Sequence, residues 1–292
     1  MPDFLTMISE PRGDYRLLDS GGGRKLEAYG DVRVIRPEPQ AMWSPASGDW
    51  QADAEFLPGA DEDGGGRWEH SSSKAEGKWT LNWEEVSFAA YCTPFRHLGY
   101  FPDMAPVWDW MCAAIADKAD PECLNLFGYT GVGTLALSAA GARMVHVDAS
   151  KKSVNAARGN AALSGMEDRP VRWIVEDAAK FAGREGRRGR RYDGIILDPP
   201  KYGRGPGGEI WHLEEGLPGL IADCRALLDE NSRFCFLTVY AVRLSALAIG
   251  GLMEEHFGDL LGKVEIGELA VREEARGRLL PTAIFARWSR EG

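Results

Sequence analysis

The chain has 292 residues, 44% of them hydrophobic and 27% charged, a balance typical of a globular protein with one large domain or two modest ones. No apolar run reaches the roughly 20 residues that a membrane-spanning helix needs, and the first residues lack the basic and apolar regions of a secretory signal. The net charge of −10 argues against bulk electrostatic attraction to nucleic acid, so any RNA contact must depend on a local patch or on shape.

The five cysteines are odd in number, widely spaced and form no Cys-x-x-Cys pair. This pattern indicates neither a disulfide framework nor a zinc site, and it is typical of a reducing cytoplasm. We therefore expect a cytoplasmic protein with no metal site and no membrane association. The sequence leaves the oligomeric state open.

Residues 1–95 predict a small β-rich N-terminal domain that recognises the substrate. Short strand-like runs cover Asp14–Asp19, Lys25–Tyr29, Val32–Ile35 and Lys78–Trp83, and an acidic, glycine-rich loop spans residues 61–66. Five tryptophans lie in this region: Trp43, Trp50, Trp68, Trp79 and Trp83. They either fill a small core and cover loops, or one or two of them stack on a base of the substrate.

Residues 96–292 alternate between strand and helix patterns. Strands are predicted at Cys123–Phe127, Met144–Asp148, Val171–Val175, Tyr192–Asp198, Arg233–Val239, Lys263–Ala270 and Thr282–Trp288, and helices at Thr134–Ala140, Lys151–Leu163, Trp211–Leu228 and Leu244–His256. The alternation predicts an α/β fold with a doubly wound, mainly parallel, seven-stranded sheet that ends in an antiparallel hairpin.

A glycine-rich turn follows the first strand of this region, where open α/β sheets bind ligands. The candidate ligand-binding residues in this turn are Phe127, Gly128, Tyr129, Thr130 and Gly131. The spacing Gly-x-x-Gly-x-Gly differs from the Gly-x-Gly-x-x-Gly of dinucleotide sites, which disfavours a nicotinamide cofactor. The alternative is that the glycines only pack the helix against the strand.

Carboxylates end the next two strands. Asp148, followed by Ala149, can accept both ribose hydroxyls of a nucleoside. Asp177 can accept from an adenine amino group, with the N–H of Ala178 meeting a ring nitrogen. In the structural alternative, each aspartate caps the helix that follows it.

The fourth strand ends in Asp198, Pro199, Pro200, Lys201 and Tyr202. The two prolines fix the backbone and remove two donors, so carbonyl oxygens lie beside a carboxylate in a rigid turn. Beside a sulfonium donor, these acceptors can hold the protons of a nucleophile, and the glycine-rich segment Gly203–Gly208 is suited to a lid. The alternatives are a stiff strand exit and a flexible connector.

Together these segments resemble the class I S-adenosylmethionine-dependent methyltransferases, which have a Rossmann-like fold. They are most similar to the bacterial large-subunit (23S) ribosomal RNA methyltransferases that act on cytosine C5 or guanine N7. The resemblance covers about residues 95–290 and also includes Asn155, Asn160 and the run Gly99–Asp103. It implies S-adenosylmethionine as the cofactor, an RNA substrate, and a position for Asp103 near the methionine part of the donor.

The chain departs from this family at the cysteine that C5 methylation requires. The positions that follow the fourth-strand prolines and the fifth strand read Pro200-Lys201 and Thr238–Ala241, and Cys235 is expected in the core. Transfer to nitrogen is therefore favoured over transfer to C5. Asp198-Pro-Pro resembles the signature of amine methyltransferases, although Lys201 stands where an aromatic residue belongs.

Three alternatives remain open: a small-molecule or protein methyltransferase, a non-catalytic nucleoside-binding RNA module, and a nicotinamide-dependent oxidoreductase. For an RNA substrate, we expect docking on the N-terminal domain and the segment Lys201–Gly208, with Trp43, Arg96 and Arg204 as candidate contacts. A dense basic run (Arg184, Arg187, Arg188, Arg190 and Arg191) is predicted to lie at the amino ends of the strands, away from the donor.

Overall fold

In a computed structural model, which describes residues 3–59, 65–240 and 243–290, the chain forms two compact units. We call the first the sheet unit; it contains Met1–Met7, Val107–Glu268 and Ala283–Gly292. The second, the β-rich unit, contains Ile8–Pro106 and Leu269–Thr282. Residues 61–63 of the predicted acidic loop, Gly64 and Ala241 lie outside the described residues.

An eight-stranded sheet lies largely in the sheet unit. Its strands are β1 (Asp3–Ser9), β9 (Glu122–Leu126), β10 (Arg143–Asp148), β11 (Val171–Val175), β12 (Gly194–Leu197), β15 (Phe234–Tyr240), β16 (Lys263–Arg272) and β17 (Leu279–Ser289). Their order is β1-β16-β17-β15-β12-β9-β10-β11. The five strands from β15 to β11 run parallel, and β17 pairs antiparallel with β15. This confirms the predicted fold class.

In residues 3–59, 65–240 and 243–290, six α-helices accompany the strands: α1 (Ala105–Ile115), α2 (Val132–Ala139), α3 (Lys151–Leu163), α4 (Ala178–Arg187), α5 (Leu213–Ala226) and α6 (Ala246–Phe257). Side chains cap three of them, because Ser150, Asp177 and Ser245 each accept a hydrogen bond from a first-turn N–H. Within the described residues, no helix is long and apolar enough to cross a membrane.

Two differences from the sequence-based elements concern the central sheet and the neighbourhood of the site. The sheet has eight strands where seven were expected, because Asp3–Ser9 adds a strand beside β16. Trp211 was expected at the start of a helix, but it lies in the strand β14 (Ile210–His212), which pairs with β13 (Tyr202–Arg204). The helix begins only at Leu213, after this hairpin has closed.

The β-rich unit contains the strands β2 (Tyr15–Gly21), β3 (Arg24–Tyr29), β4 (Val32–Pro37), β5 (Ala54–Pro58), β6 (Gly66–His70), β7 (Trp79–Trp83) and β8 (Val86–Ala90). The first five form one sheet and the last two a separate hairpin. Glu27 is buried, accepts hydrogen bonds from Arg36, Tyr15 and Tyr29, and has a pKa of about 2 because Arg36 and Lys25 stabilise its charge against the cost of burial. Each compact unit is built from two or three separate segments of the chain, whereas the sequence predicts a single domain boundary at 95/96. The role of residues 1–95 in substrate recognition stays a prediction.

Candidate active site

The carboxyl ends of four neighbouring strands bring the predicted site residues other than Asp103 into one row. In the order β11-β10-β9-β12, the strands are followed by Asp177, Asp148, the glycine turn and Asp198. At about 4.8 Å between strands, the row is about 14 Å long. The sheet reverses its winding between β9 and β12, and open α/β sheets bind ligands at such a switch point.

The turn after β9, Phe127–Gly131, which we call the glycine loop, has an unusual backbone. Phe127, Tyr129 and Gly131 have φ values of 59°, 46° and 80°. Non-glycine residues rarely adopt positive φ, and they concentrate at functional sites when the surroundings hold them there. The glycine loop therefore has the strained, fixed main chain of a ligand cradle.

Buried side chains pack against the glycine loop and hold its conformation. His146 on β10 is fully buried and lies so close to Gly128 that a Cβ there would be 2.5 Å from the imidazole ring. Thr134 Oγ1 lies 2.9 Å from both His146 Nδ1 and Asn125 Nδ2. Burial lowers the pKa of His146 to about 3, so the imidazole is neutral at physiological pH. On the other side, Asn160 Nδ2 donates to the carbonyl of Thr130 at 2.8 Å.

Sequence reasoning identified Asn160 only through the resemblance and missed Thr134 and His146. A single buried histidine inside an apolar strand forms no sequence pattern that would mark it as a site residue. The available signal is its position two residues before Asp148, because side chains alternate along a strand and His146 therefore shares a face of the sheet with Asp148.

Asp148 connects the end of β10 to the glycine loop. Its Oδ2 accepts from the N–H of Tyr129 at 3.0 Å, and its Oδ1 accepts from the N–H of Ser150 at 2.8 Å. Burial raises the pKa of Asp148, although these two hydrogen bonds oppose the shift. The N-cap of α3 is Ser150 and not Asp148, so the alternative that Asp148 caps this helix is wrong. Ala149, next in the chain, is half-buried.

Asp177 is the N-cap of α4, with its Oδ1 accepting from the N–H of Lys180 at 2.9 Å. The capping alternative is therefore observed, and Ala178 is buried in the first helical turn. The neighbouring Glu176 forms an ion pair with Arg184. Asp177 remains half-buried, so its role toward a nucleoside stays a prediction.

The turn after β12 is exposed except at its base. Asp198 is half-buried and Pro199 is buried, whereas Pro200, Lys201 and Tyr202 are exposed. Trp211, which sequence reasoning missed as a site residue, donates its indole N–H to the carbonyl of Pro200 at 2.7 Å. Its ring packs against Phe127 with centroids 5.4 Å apart, which links this turn to the glycine loop.

The segment that was expected to be a lid is the tip of the β13–β14 hairpin. Tyr202 pairs with His212 and Arg204 with Ile210, so residues 205–209 form the connection. Glu209 accepts from the N–H of Gly207 at 2.8 Å and pairs with Lys180 of α4. In this conformation the segment is a defined hairpin, and its action as a lid stays a prediction.

The remaining candidate residues have local partners. Trp43 donates its N–H to the carbonyl of Ser20 at 3.0 Å, and Arg204 donates to the hydroxyl of Tyr202 at 3.1 Å. Arg96 is exposed, with its carbonyl bound by Arg36. Asp103 is buried in the β-rich unit and accepts from Thr282 Oγ1 at 2.7 Å. The structure therefore gives Trp43 a bracing role, and the donor-binding role of Asp103 stays a prediction.

The basic run follows the expected topology only in part. Arg190 pairs with Glu122 at the amino end of β9, as expected. Arg184 is different, because it pairs with Glu176, which follows the carboxyl end of β11. Arg188 pairs with the buried Glu185 at 2.9 Å. Three of the five arginines therefore already neutralise carboxylates of the chain.

Cysteines are absent from the turn after β12. Cys235 is fully buried in β15, and burial raises its pKa far above the ordinary range. Cys123 and Cys224 are also buried. Burial raises the pKa of Cys112 to about 11, and Cys112 Sγ lies 3.6 Å from the carbonyl of Ala136.

Comparison with known proteins agrees with this fold. A family described as Conserved hypothetical protein 95 matches residues 106–206. The crystal structure of the S-adenosylmethionine-dependent methyltransferase from Agrobacterium tumefaciens superposes with a TM-score of 0.94 at 42% identity and covers 100% of this chain and 96% of that one. A Streptococcus mutans protein described as a methyltransferase has the same fold, with a TM-score of 0.71, 16% identity, and coverage of 94% of this chain and 75% of that chain.

The chain therefore belongs to the S-adenosylmethionine-dependent methyltransferases, which confirms the predicted class and cofactor. Among curated relatives, ribosomal RNA large subunit methyltransferase I of Aeromonas salmonicida is 32% identical over 133 residues, 45% of this chain and 31% of that protein. The Shewanella denitrificans protein of the same name is 38% identical over 142 residues, 48% of this chain and 32% of that protein. This chain spans about a third of the length of these curated relatives.

Proposed function

We propose that this protein transfers the methyl group of S-adenosylmethionine to a nitrogen atom of an RNA base, with ribosomal RNA as the favoured substrate. The proposal depends above all on the turn Asp198-Pro199-Pro200, which places a carboxylate and main-chain carbonyls beside the glycine loop. Relatives that act on ribosomal RNA by name support the substrate class. Free, widely spaced cysteines support a cytoplasmic location.

The row of residues along the sheet edge fits the donor in order. Asp177 and Ala178 are proposed to bind the adenine, Asp148 and Ala149 the ribose, and the main chain of Phe127–Gly131 the methionine part, with Asp103 as a further contact. The fixed backbone of the glycine loop supports this, since positive φ at Phe127 and Tyr129 turns main-chain groups away from their usual strand and helix partners.

The bound donor supplies a methyl group that is already activated by its sulfonium charge. The chain then has to position the acceptor and manage its proton. In our proposal, the Asp198 carboxylate and the following carbonyls accept hydrogen bonds from the amino group of the base and orient its lone pair. Nitrogen gains the methyl group as the carbon–sulfur bond breaks, and the displaced proton leaves toward Asp198. Pro199, Pro200, Lys201 and Tyr202 form the wall of this acceptor position.

The absence of a cysteine at this turn favours nitrogen over cytosine C5. Attack at C5 requires a thiolate that adds to C6 of the base. The positions next to Asp198 are prolines, and burial holds the thiol of Cys235 in its neutral form. An RNA that contains 5-fluorocytosine is therefore expected to form no covalent adduct. A stable adduct would establish C5 chemistry and refute transfer to nitrogen.

The central test is an acceptor assay with isotopically labelled donor. Ribosomal RNA, transfer RNA, protein and small-molecule fractions from a strain that lacks the gene are incubated with the protein, and label is followed by nucleoside analysis. We expect label in ribosomal RNA, in a nucleoside methylated on nitrogen. Label confined to the small-molecule or protein fraction would refute the RNA substrate.

A further inference from the structure

A cleft in the β-rich unit, away from the row of donor residues in sequence, has features of a ligand site. Its volume is about 420 Å³, within the range of roughly 300–1,000 Å³ for small-ligand pockets. Three basic side chains (Arg16, Arg33 and Lys74) and two acidic ones (Asp31 and Asp53) line it. We call it the basic cleft.

The sheet register brings two of the cations together. Arg16 on β2 pairs with Ala28 on β3, and Ala28 pairs with Arg33 on β4. Residues in direct register share a face of the sheet, so Arg16 and Arg33 project from the same face, about 10 Å apart at the backbone. The opposite face carries the buried Leu17, Glu27 and Val34.

The third cation is fixed by a short turn. The N–H groups of Ser71 and Ser72 donate to the carbonyl of Asp53, and a 3-10 turn over Ser73–Ala75 then presents Lys74. The side chain of Asp53 accepts from the main-chain N–H of Arg33 at 2.8 Å. Asp53 therefore ties the Lys74 turn to β4 and holds the cleft together.

The cations of the basic cleft lack close counter-ions. Within the described part of the chain, the guanidinium of Arg33 and the ammonium of Lys74 form no ion pair, since the Asp53 carboxylate bonds the main-chain N–H of Arg33. Arg16 has only a long ion pair, at 3.6 Å, with Glu274. In a chain with a net charge of −10, cations of this kind gathered in one concave site indicate an anionic ligand.

We propose that the basic cleft binds phosphate groups of the RNA substrate, an inference that rests on the proposed function. Arg16, Arg33 and Lys74 contact phosphate oxygens, and the exposed carboxylate of Asp31 accepts from a ribose 2′-hydroxyl. A cleft with both cations and acceptors suits a ligand with both phosphates and hydroxyl donors, as RNA has, better than a purely anionic polymer.

The test combines the substitutions Arg16→Gln, Arg33→Gln and Lys74→Gln in the full chain. A matched control replaces Arg12, Arg24 and Arg67 with Gln; these exposed arginines of the same unit pair with Glu84, Glu55 and Glu69, so the change in net charge is the same. Binding of a fluorescein-labelled single-stranded RNA, the KM for ribosomal RNA, and the affinity for S-adenosylhomocysteine are measured, and thermal unfolding checks the fold.

We expect the cleft variant to bind the labelled RNA at least tenfold more weakly at physiological salt and to raise the KM for ribosomal RNA. Up to three lost phosphate contacts should reduce the slope of log K against log salt by about two. The control variant and all affinities for S-adenosylhomocysteine should stay within twofold of the wild type. Asp31→Ala should weaken binding of the RNA but not of a DNA of the same sequence.

The outcomes separate the two proposals. If the wild type methylates RNA while the cleft variant keeps its KM and salt slope, the cleft assignment is wrong and the proposed function stands. If the wild type transfers label only to small molecules or protein, the proposed function is wrong. Equal weakening in the cleft and control variants would show a general charge effect and would also overturn the cleft site.

Discussion

The glycine loop and the segment that follows β12, residues 198–212, leave neighbouring strands but are held in opposite ways. Main-chain geometry and fully buried partners, His146 and Ala157, fix the glycine loop. The other segment presents exposed side chains such as Lys201 and Tyr202 and has one large buried anchor, Trp211. Under the proposed function, the donor would be recognised by a rigid backbone, whereas the acceptor would meet exposed side chains around Asp198.

The largest expected effect is on turnover, from Asp198→Ala. We expect the rate of methyl transfer to fall at least about 100-fold, because the proposed contact is made to the acceptor in the transition state. The affinity for S-adenosylhomocysteine should change by less than about threefold. Asp198→Asn keeps an acceptor oxygen and should retain more activity than the alanine variant. Near wild-type turnover in Asp198→Ala would make this residue a structural turn residue only.

The second prediction tests the rigidity of the glycine loop through Gly128→Ala. The new methyl group would lie 2.5 Å from the His146 ring, so the loop or the ring must move. If the loop carries a strain of about 1–3 kcal/mol from this overpacking into the bound state, the affinity for S-adenosylhomocysteine should fall about fivefold or more. Gly159→Ala is the matched control, because no atom lies within 4 Å of a Cβ there.

A double variant sharpens that result. Adding His146→Ser to Gly128→Ala removes the ring that the methyl group meets, so part of the lost affinity should return. Calorimetry of the single and double variants gives the coupling energy between the two sites. Unchanged donor affinity in a folded Gly128→Ala protein would contradict the idea of a fixed cradle.

The third prediction concerns the carboxylate that joins the glycine loop to β10. Asp148→Ala removes the acceptor of the Tyr129 N–H and the proposed acceptor of the ribose hydroxyls. We expect the affinity for S-adenosylhomocysteine to fall by about 1–3 kcal/mol. Adenine alone, which has no ribose, should lose less affinity than the full nucleoside. An equal loss for both ligands would show that Asp148 acts only by shaping the loop.

Features that depend on local sequence signals could be predicted, whereas features that depend on contacts between distant segments could not. The parallel strands and the positions of Asp148, Asp177 and Asp198 were predictable, because periodicity and strand ends are local signals. The close packing of His146 against Gly128 was not predictable, because it depends on which strands become neighbours in the sheet. The apolar residue Trp211 fits both a helix and a strand pattern, and its pairing with Gly203 and its bond to the Pro200 carbonyl depend on a contact that the local sequence does not show.

The β-rich unit shows the same limit. Its short strands were recognised, but the basic cleft was not, because Arg16, Arg33 and Lys74 are far apart in sequence and come together only through the register of three strands and one turn. Residue type alone makes Trp43 a candidate either for stacking on a base or for covering a loop. Its N–H is bound to Ser20, and Arg278 lies over its ring, 5.3 Å from the centroid.

The last prediction uses pH to probe the buried His146 beneath the glycine loop. The expected effect on the free energy of unfolding appears only below about pH 6.5. Burial lowers the pKa of His146 from 6.5 to about 3, so below pH 6.5 the unfolded chain takes up a proton that the folded chain refuses. The contribution to stability is therefore complete above pH 6.5 and is lost as the pH falls toward 3. At 1.36 kcal/mol per pH unit, His146 alone should reduce the free energy of unfolding by about 2 kcal/mol between pH 7 and pH 5.

His97, with a pKa lowered to about 4 by burial and by Arg36 and Arg96, adds a loss of the same sign. The comparison is therefore made between variants in urea unfolding at both pH values. His146→Gln should lose about 2 kcal/mol less than the wild type on acidification, whereas His70→Gln, at an exposed position, should behave like the wild type. Equal acid sensitivity in all three proteins would mean that His146 opens to solvent and accepts its proton in the folded state, and the glycine loop would then lack the rigid support that sets it apart from residues 198–212.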